Sequence, residues 1–199
     1  MLTGYDDSSL VVDRLHGLAG EKGTTVTYFY PDFATRKELS AADILGSLLK
    51  KIISGMDVVP GEILRGLHEQ RNSFPGPVSQ LVNIVQMLQL ITSSQPVFLC
   101  IDALDECVGV ELAKVLESLK QILEKSPSTR IFVTGRPHIQ DKIEEHFSGR
   151  VASVSADPRK DDVTTYIRAR LAKDKAPDAM DEFLEADIVE NTLGNISGT

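Results

Sequence analysis

Between Pro96 and Asp102 the chain reads Val97-Phe98-Leu99-Cys100-Ile101, five apolar residues without alternation. A strand with one wet face alternates apolar and polar side chains. An unbroken apolar run of this length instead suits a central strand of a parallel sheet, covered on both faces. The segments around it fit that setting. Thr24 to Tyr30, rich in β-branched and aromatic residues, reads as a strand stopped by Pro31, and Arg130 to Thr134 reads as a further strand. Val151 to Val154 is a candidate for one more short strand.

Helical spacing fills the intervals. Ser40 is a plausible N-cap for a helix with apolar positions Ile44, Leu45, Leu48, Leu49, Ile52 and Ile53, ending at Gly55. Helices are also expected from about Gly61 to Arg71, Val78 to Ile91, Val110 to Leu123 and Ile139 to Phe147, with a break at Phe74-Pro75-Gly76-Pro77. Near the start, Leu10, Val11, Val12 and Leu15 form a short helical face, and Gly17 to Gly23 reads as a loop. The tail carries two helical patterns, Asp161 to Leu171 and Asp178 to Leu193, with no strand between them. The expectation is an α/β domain with a parallel sheet over residues 1–155, followed by a helical piece over residues 156–199.

Composition narrows the function classes. With 42% hydrophobic and 25% charged residues the chain has the makeup of a globular protein. A net charge of -8 argues against a broad nucleic-acid-binding face, which needs clustered Lys and Arg. No stretch reaches the roughly 20 apolar residues of a membrane span, and the first residues lack the pattern of a signal peptide. Cys100 and Cys107 cannot form a disulfide framework, so a reducing, cytoplasmic location is the default expectation. The four histidines are scattered and no nucleophile elbow is present, which leaves little basis for another enzyme class.

The chemistry-bearing window is the end of the apolar strand, Asp102-Ala103-Leu104-Asp105-Glu106. Ligands of parallel sheets bind beyond the carboxyl ends of the strands, which places Asp102 at that rim. A carboxylate there can hold a hydrated magnesium ion bridging nucleotide phosphates, and Asp105 and Glu106 are close enough to orient a water or act as a general base. The plainer alternative is that these acids cap the next helix. A second strand ends in Thr134-Gly135-Arg136-Pro137, where an Arg can reach a terminal phosphate.

Together these windows resemble the Walker B and sensor elements of NACHT-type NTPases, signal-transducing (STAND) P-loop proteins, and especially the nephrocystin-3-like N-terminal domains found in fungal proteins. The segments Val26 to Tyr30 with Ile44 to Lys50, and Asp157 to Leu171, are similar to the family's second strand and helix and to the opening of its helical subdomain. Asn195 to Thr199 resembles the start of a further helix. The resemblance implies a three-layer P-loop NTPase-like fold and ATP or GTP with Mg2+ as ligand. It also implies Asp102 at the metal, Thr134 and Arg136 at the nucleotide, Asp105 and Glu106 in catalysis, and other protein domains or self-association as partners.

The sequence departs from the family at one decisive place. No Gly-rich loop ending in Gly-Lys-Ser or Gly-Lys-Thr occurs in it. One register of the first helix sets Gly4 and Tyr5 at the Lys and hydroxyl positions, and another sets Asp7 and Ser8 there. Neither supplies a cation. The strand that precedes this loop in the family is missing as well, so marginal stability is expected, with no hydrolysis by this chain alone. The competing expectation is a protein-interaction scaffold without a nucleotide role.

Overall fold

A computed structural model describes residues 5–20, 23–31, 39–72, 76–155, 160–171 and 182–196, and the chain's contacts divide it into two compact units, Met1–Val151 and Ala152–Thr199. In the first unit, α1 (Tyr5–Gly20) leads into β1 (Thr25–Phe29), followed by α2 (Ala41–Ser54), α3 (Gly61–Asn72) and α4 (Pro77–Ser94). Then come β2 (Val97–Ile101), α5 (Gly109–Lys125), β3 (Arg130–Val133) and α6 (Gln140–Phe147). Among the described residues the sheet has three strands in the order β1-β2-β3, all parallel. The apolar run is thus the middle strand, and the chain is an α/β protein.

The local reasons for α2 are visible at both ends. Ser40 Oγ accepts the Asp43 amide at 3.1 Å while the Asp43 carboxylate accepts the Ser40 amide at 3.3 Å, a reciprocal capping box. Between this cap and Gly55 the side chains of Ile44, Leu45, Leu48, Leu49 and Ile52 are buried. A hydrogen bond across 70 residues joins α2 to α5: the Ala41 amide, one of the helix's unpaired first-turn donors, reaches Glu111 Oε2 at 2.8 Å.

Side-chain alternation divides the sheet into two unlike faces. Phe29, Val97, Leu99 and Ile101 point into a continuous core with Leu45 and Leu48 of α2, Leu88 and Ile91 of α4, and Leu116 and Leu119 of α5. Ile131 and Val133 of β3 pack against the same cluster. Thr27 faces this side too, and its hydroxyl donates to the Leu48 carbonyl at 3.1 Å, which satisfies a polar group in the interior.

The opposite face carries Val26, Tyr28, Phe98, Cys100 and Phe132, of which Cys100 is buried and the others half-buried. There His16 of α1 meets the Tyr28 ring edge-on at 6.4 Å, and Lys51 Nζ lies 3.4 Å above the same ring.

Three expectations are corrected. Val151 to Val154 forms no strand: these residues are exposed, Val154 at 89%, and among the described residues no neighbouring strand supplies the backbone partners a β-strand requires. Gly17 does not open a loop, because α1 runs through it to Gly20 and buries Ala19. A helix tolerates one interior glycine at a cost of about 1 kcal/mol. The acids after β2 do not cap α5, whose N-cap is Val108 with no side-chain hydrogen bond.

Gly4, Phe74, Pro75, residues 157–159, residues 178–181 and residues 197–199 lie outside the described residues, as do the side chains of Tyr5, Asp7 and Ser8.

The second unit holds α7 (Lys160–Leu171) and α8 (Glu182–Ile196), joined by an ion pair of Arg168 Nε with Glu185 Oε1 at 3.2 Å. Among the described residues no helix is long and apolar enough to cross a membrane.

Candidate functional site at the carboxyl rim of the sheet

The parallel register brings the ends of β2 and β3 together, and Thr134 ties them. Its amide donates to the Ile101 carbonyl at 3.0 Å and extends the ladder one residue past β3. Its carbonyl accepts the Leu104 amide at 2.9 Å. Its hydroxyl oxygen accepts the Ala103 amide at 2.9 Å and donates its own proton to Asp102 Oδ1. On the other side the Asp102 amide donates to the Phe29 carbonyl at 3.0 Å. A backbone carbonyl on one side and a hydroxyl on the other therefore fix Asp102 from both neighbouring strands, and only 7% of the residue is exposed.

This arrangement requires a sharp departure of the chain after Asp102. Ala103 takes it in the left-handed region, φ 48° and ψ 51°, a conformation that costs a non-glycine residue about 1 kcal/mol or more. The Ala103 amide bond to Thr134 holds it there. A single 3₁₀ turn, Leu104–Glu106, then drops Leu104 into the core and leaves Asp105 behind the rim, 8% exposed.

Asp105 does not face an open solvent pocket. Its Oδ1 accepts the Arg136 amide at 3.2 Å and its Oδ2 lies 3.3 Å from Arg136 Nε. The same guanidinium stands 3.7 Å from Glu106 Oε1. Gly135 makes the approach possible: a Cβ there would lie 2.7 Å from Ile139 Cδ1 and 3.3 Å from Asp105 Oδ1.

All five residues singled out from the sequence, Asp102, Asp105, Glu106, Thr134 and Arg136, thus meet at one rim. They form two groups, Asp102 with Thr134, and Asp105 and Glu106 with Arg136. The sequence reading missed the roles of Ala103 and Gly135. Gly135 carried a signal, a glycine directly after a strand; Ala103 carried none.

The donor set can be weighed for a metal. Asp102 Oδ1 is engaged by Thr134, while the second carboxylate oxygen makes no hydrogen bond among the described residues. No group of three or more His, Cys, Asp or Glu converges among them. One hard oxygen ligand, with water and ligand oxygens completing the shell, is a common protein share for Mg2+ and falls short of a Zn2+ or Ca2+ site. Concavities of about 720 Å³ along α7 and α8 and about 690 Å³ between α4 and α5 are lined by none of the rim residues. The rim is identified by its chemistry, not by enclosure.

An α/β protein with a parallel sheet, carrying a buried carboxylate and a strand-end arginine on adjacent strands, is the class that fold and site define. Residues 8–136, more than half of the chain, match the family model described as nephrocystin 3, N-terminal, and the chain belongs to that family. No curated protein and no solved structure matches it.

Proposed function

We propose that this chain is a NACHT-type nucleotide-binding module of the P-loop NTPase-like class, with the carboxyl rim of β2 and β3 as its nucleotide site. The observation that carries the reading is the fixing of Asp102 by Thr134 on the adjacent strand, beside an exposed arginine. In this reading Asp102 would hold Mg2+, which when bound would neutralise phosphate charge, and Arg136 would meet the terminal phosphate of ATP or GTP. Thr134 keeps the carboxylate oriented. The sequence contains no phosphate-wrapping loop with its lysine, so affinity is expected to be weak and turnover absent. Partners in this reading are other protein domains or a second copy, and the location is cytoplasmic.

The test is a thermal-shift titration of the full chain with Mg·ATP and Mg·GTP, since a ligand bound only by the folded state raises the midpoint with its concentration. A magnesium-dependent rise that Asp102→Asn removes supports the reading. No rise at millimolar nucleotide would sink it.

One observation favours the second reading, a protein-interaction scaffold. The rim side chains largely satisfy one another, Asp102 with Thr134 and Asp105 with Arg136, as an inherited but idle site would.

A further inference from the structure

General-base work requires a carboxylate oxygen open to the proton it takes. Asp105 is badly placed for it. Its side chain is 6% exposed, and both oxygens face Arg136, one at the amide and one at Nε. The Arg136 side chain, by contrast, is 69% exposed, so the guanidinium is gripped along one side and open to solvent on the other. Glu106, 38% exposed at the side chain, stands near a second nitrogen of the same group.

We propose that Asp105 is a positioning residue which, with Glu106, forms a carboxylate clamp holding Arg136 in a parked position, and that a phosphate oxyanion at the rim draws the guanidinium away from it. Guanidinium binds carboxylate and phosphate through the same planar fork of donors, so the two compete for it. The turn is built for this grip. Gly135 lets the backbone close on Asp105, and the Arg136 amide bond to Oδ1 keeps the backbone in place when the side chain swings. The clamp therefore sets how readily Arg136 is given up, while its amide anchor stays. That the anion is a nucleotide polyphosphate rests on the function proposed above; the grip on Arg136 does not.

Two readouts on the full chain separate the claims. The first needs no ligand: the proton-exchange rate of Arg136 Nε–H by NMR. Asp105→Asn keeps an acceptor for the amide but removes the charge, and should speed Nε–H exchange by about two- to fivefold, the size expected of one partly exposed ion pair. An unchanged rate would overturn the clamp.

The second readout is calorimetric titration with Mg·ATP and, as a probe of phosphate alone, with inorganic tripolyphosphate. Asp105→Asn should tighten binding about two- to fivefold, and Arg136→Gln should erase that gain. Equal affinity in wild type and Asp105→Asn overturns the competition while leaving the nucleotide reading intact. Faster exchange with no binding by any variant ends the nucleotide reading and leaves the clamp as a lock on the turn. If Asp105→Asn does not fold, Arg136→Gln at its exposed site replaces it. The Asp105 carboxyl 13C resonance then moves if the clamp exists, and stays in place if it does not.

Discussion

The two faces of the sheet are made from alternate residues of the same three strands, yet they have different fates. On one, Leu99 and Ile101 are sealed by α2, α4 and α5 at 0% and 1% exposure. On the other, Phe98 and Phe132 are half-buried, and the described contacts gather at β1 around Tyr28. The contrast teaches that an unbroken apolar strand reports how its residues partition, not how completely each face is covered. The rim draws on both sides of this division: Asp102 and Thr134 continue the alternation of Cys100 and Phe132, whereas Leu104 and Ile139, which flank the acids and the arginine turn, belong to the closed core cluster. The turn that carries Asp105 and Arg136 is anchored in the closed face, while the Asp102–Thr134 pair is not.

Truncation should expose the contrast most directly. Leu99→Ala removes a side chain with no exposure, and the transfer and cavity terms together should cost about 3–4 kcal/mol in chemical denaturation. Phe98→Ala, one position away on the other face, removes a larger side chain but should cost only about 2 kcal/mol, because part of the ring is already hydrated. Equal costs would mean that the second face is as closed as the first.

Next in size is the seam where both faces meet the rim. Thr134→Val keeps the volume and removes the hydroxyl, leaving Asp102 Oδ1 and the Ala103 amide without their shared partner. The expected loss is about 1–2 kcal/mol, together with weakened hydrogen-exchange protection at Ala103. A loss under about 0.5 kcal/mol would show that backbone bonds alone fix Asp102 and that the hydroxyl is dispensable.

Glu111 offers a smaller and pH-dependent test of how the closed face is held at its end. Its carboxylate is held below the usual glutamate range, first by the Lys114 ammonium that donates to it at 2.6 Å, then by the Ala41 amide. A depressed carboxylate contributes stability that is present above its unfolded value near 4.5 and is lost as the pH falls through the lowered folded value. Glu111→Ala should therefore cost about 1 kcal/mol at pH 7, the usual worth of a helix cap, and its difference from wild type should vanish in acid. A difference that persists at pH 2 would assign the loss to packing instead.

Much of this architecture was legible from local chemistry. Ser40 announced the start of α2, and the run from Val97 to Ile101 announced a middle strand, because capping and periodicity act within a few residues. The five rim residues were legible as a set because a parallel sheet brings strand ends together. Their pairing was not. Whether Arg136 meets Asp102 or Asp105 depends on the left-handed step at Ala103 and on the room left by Gly135, and neither follows from propensity. Val151 to Val154 misled for the converse reason: its β-branched residues suit a strand, but pairing is decided by a neighbour that local sequence does not name.

The two cysteines carry the comparison to its finest grain, since Cys107 belongs to the core cluster whereas Cys100 points to the other face. Burial pushes both thiols up to about 11; at Cys107 the charge of Glu111 adds to the effect. A raised thiol favours the folded state below the unfolded value of 9.0, and that contribution is lost as the pH rises from there toward 11. At pH 8 each native thiol should hold about a hundredfold less thiolate than an unfolded one, so labelling by a disulfide reagent should be slow until the chain unfolds. Single-cysteine variants, Cys107→Ser and Cys100→Ser, report the two sites separately. Similar slow rates mean that the second face is closed at its centre, around Cys100, and open only at its Phe98 and Phe132 margins. Fast labelling of Cys100 beside slow labelling of Cys107 means that water reaches the middle strand itself, and that the sheet is sealed on one side alone.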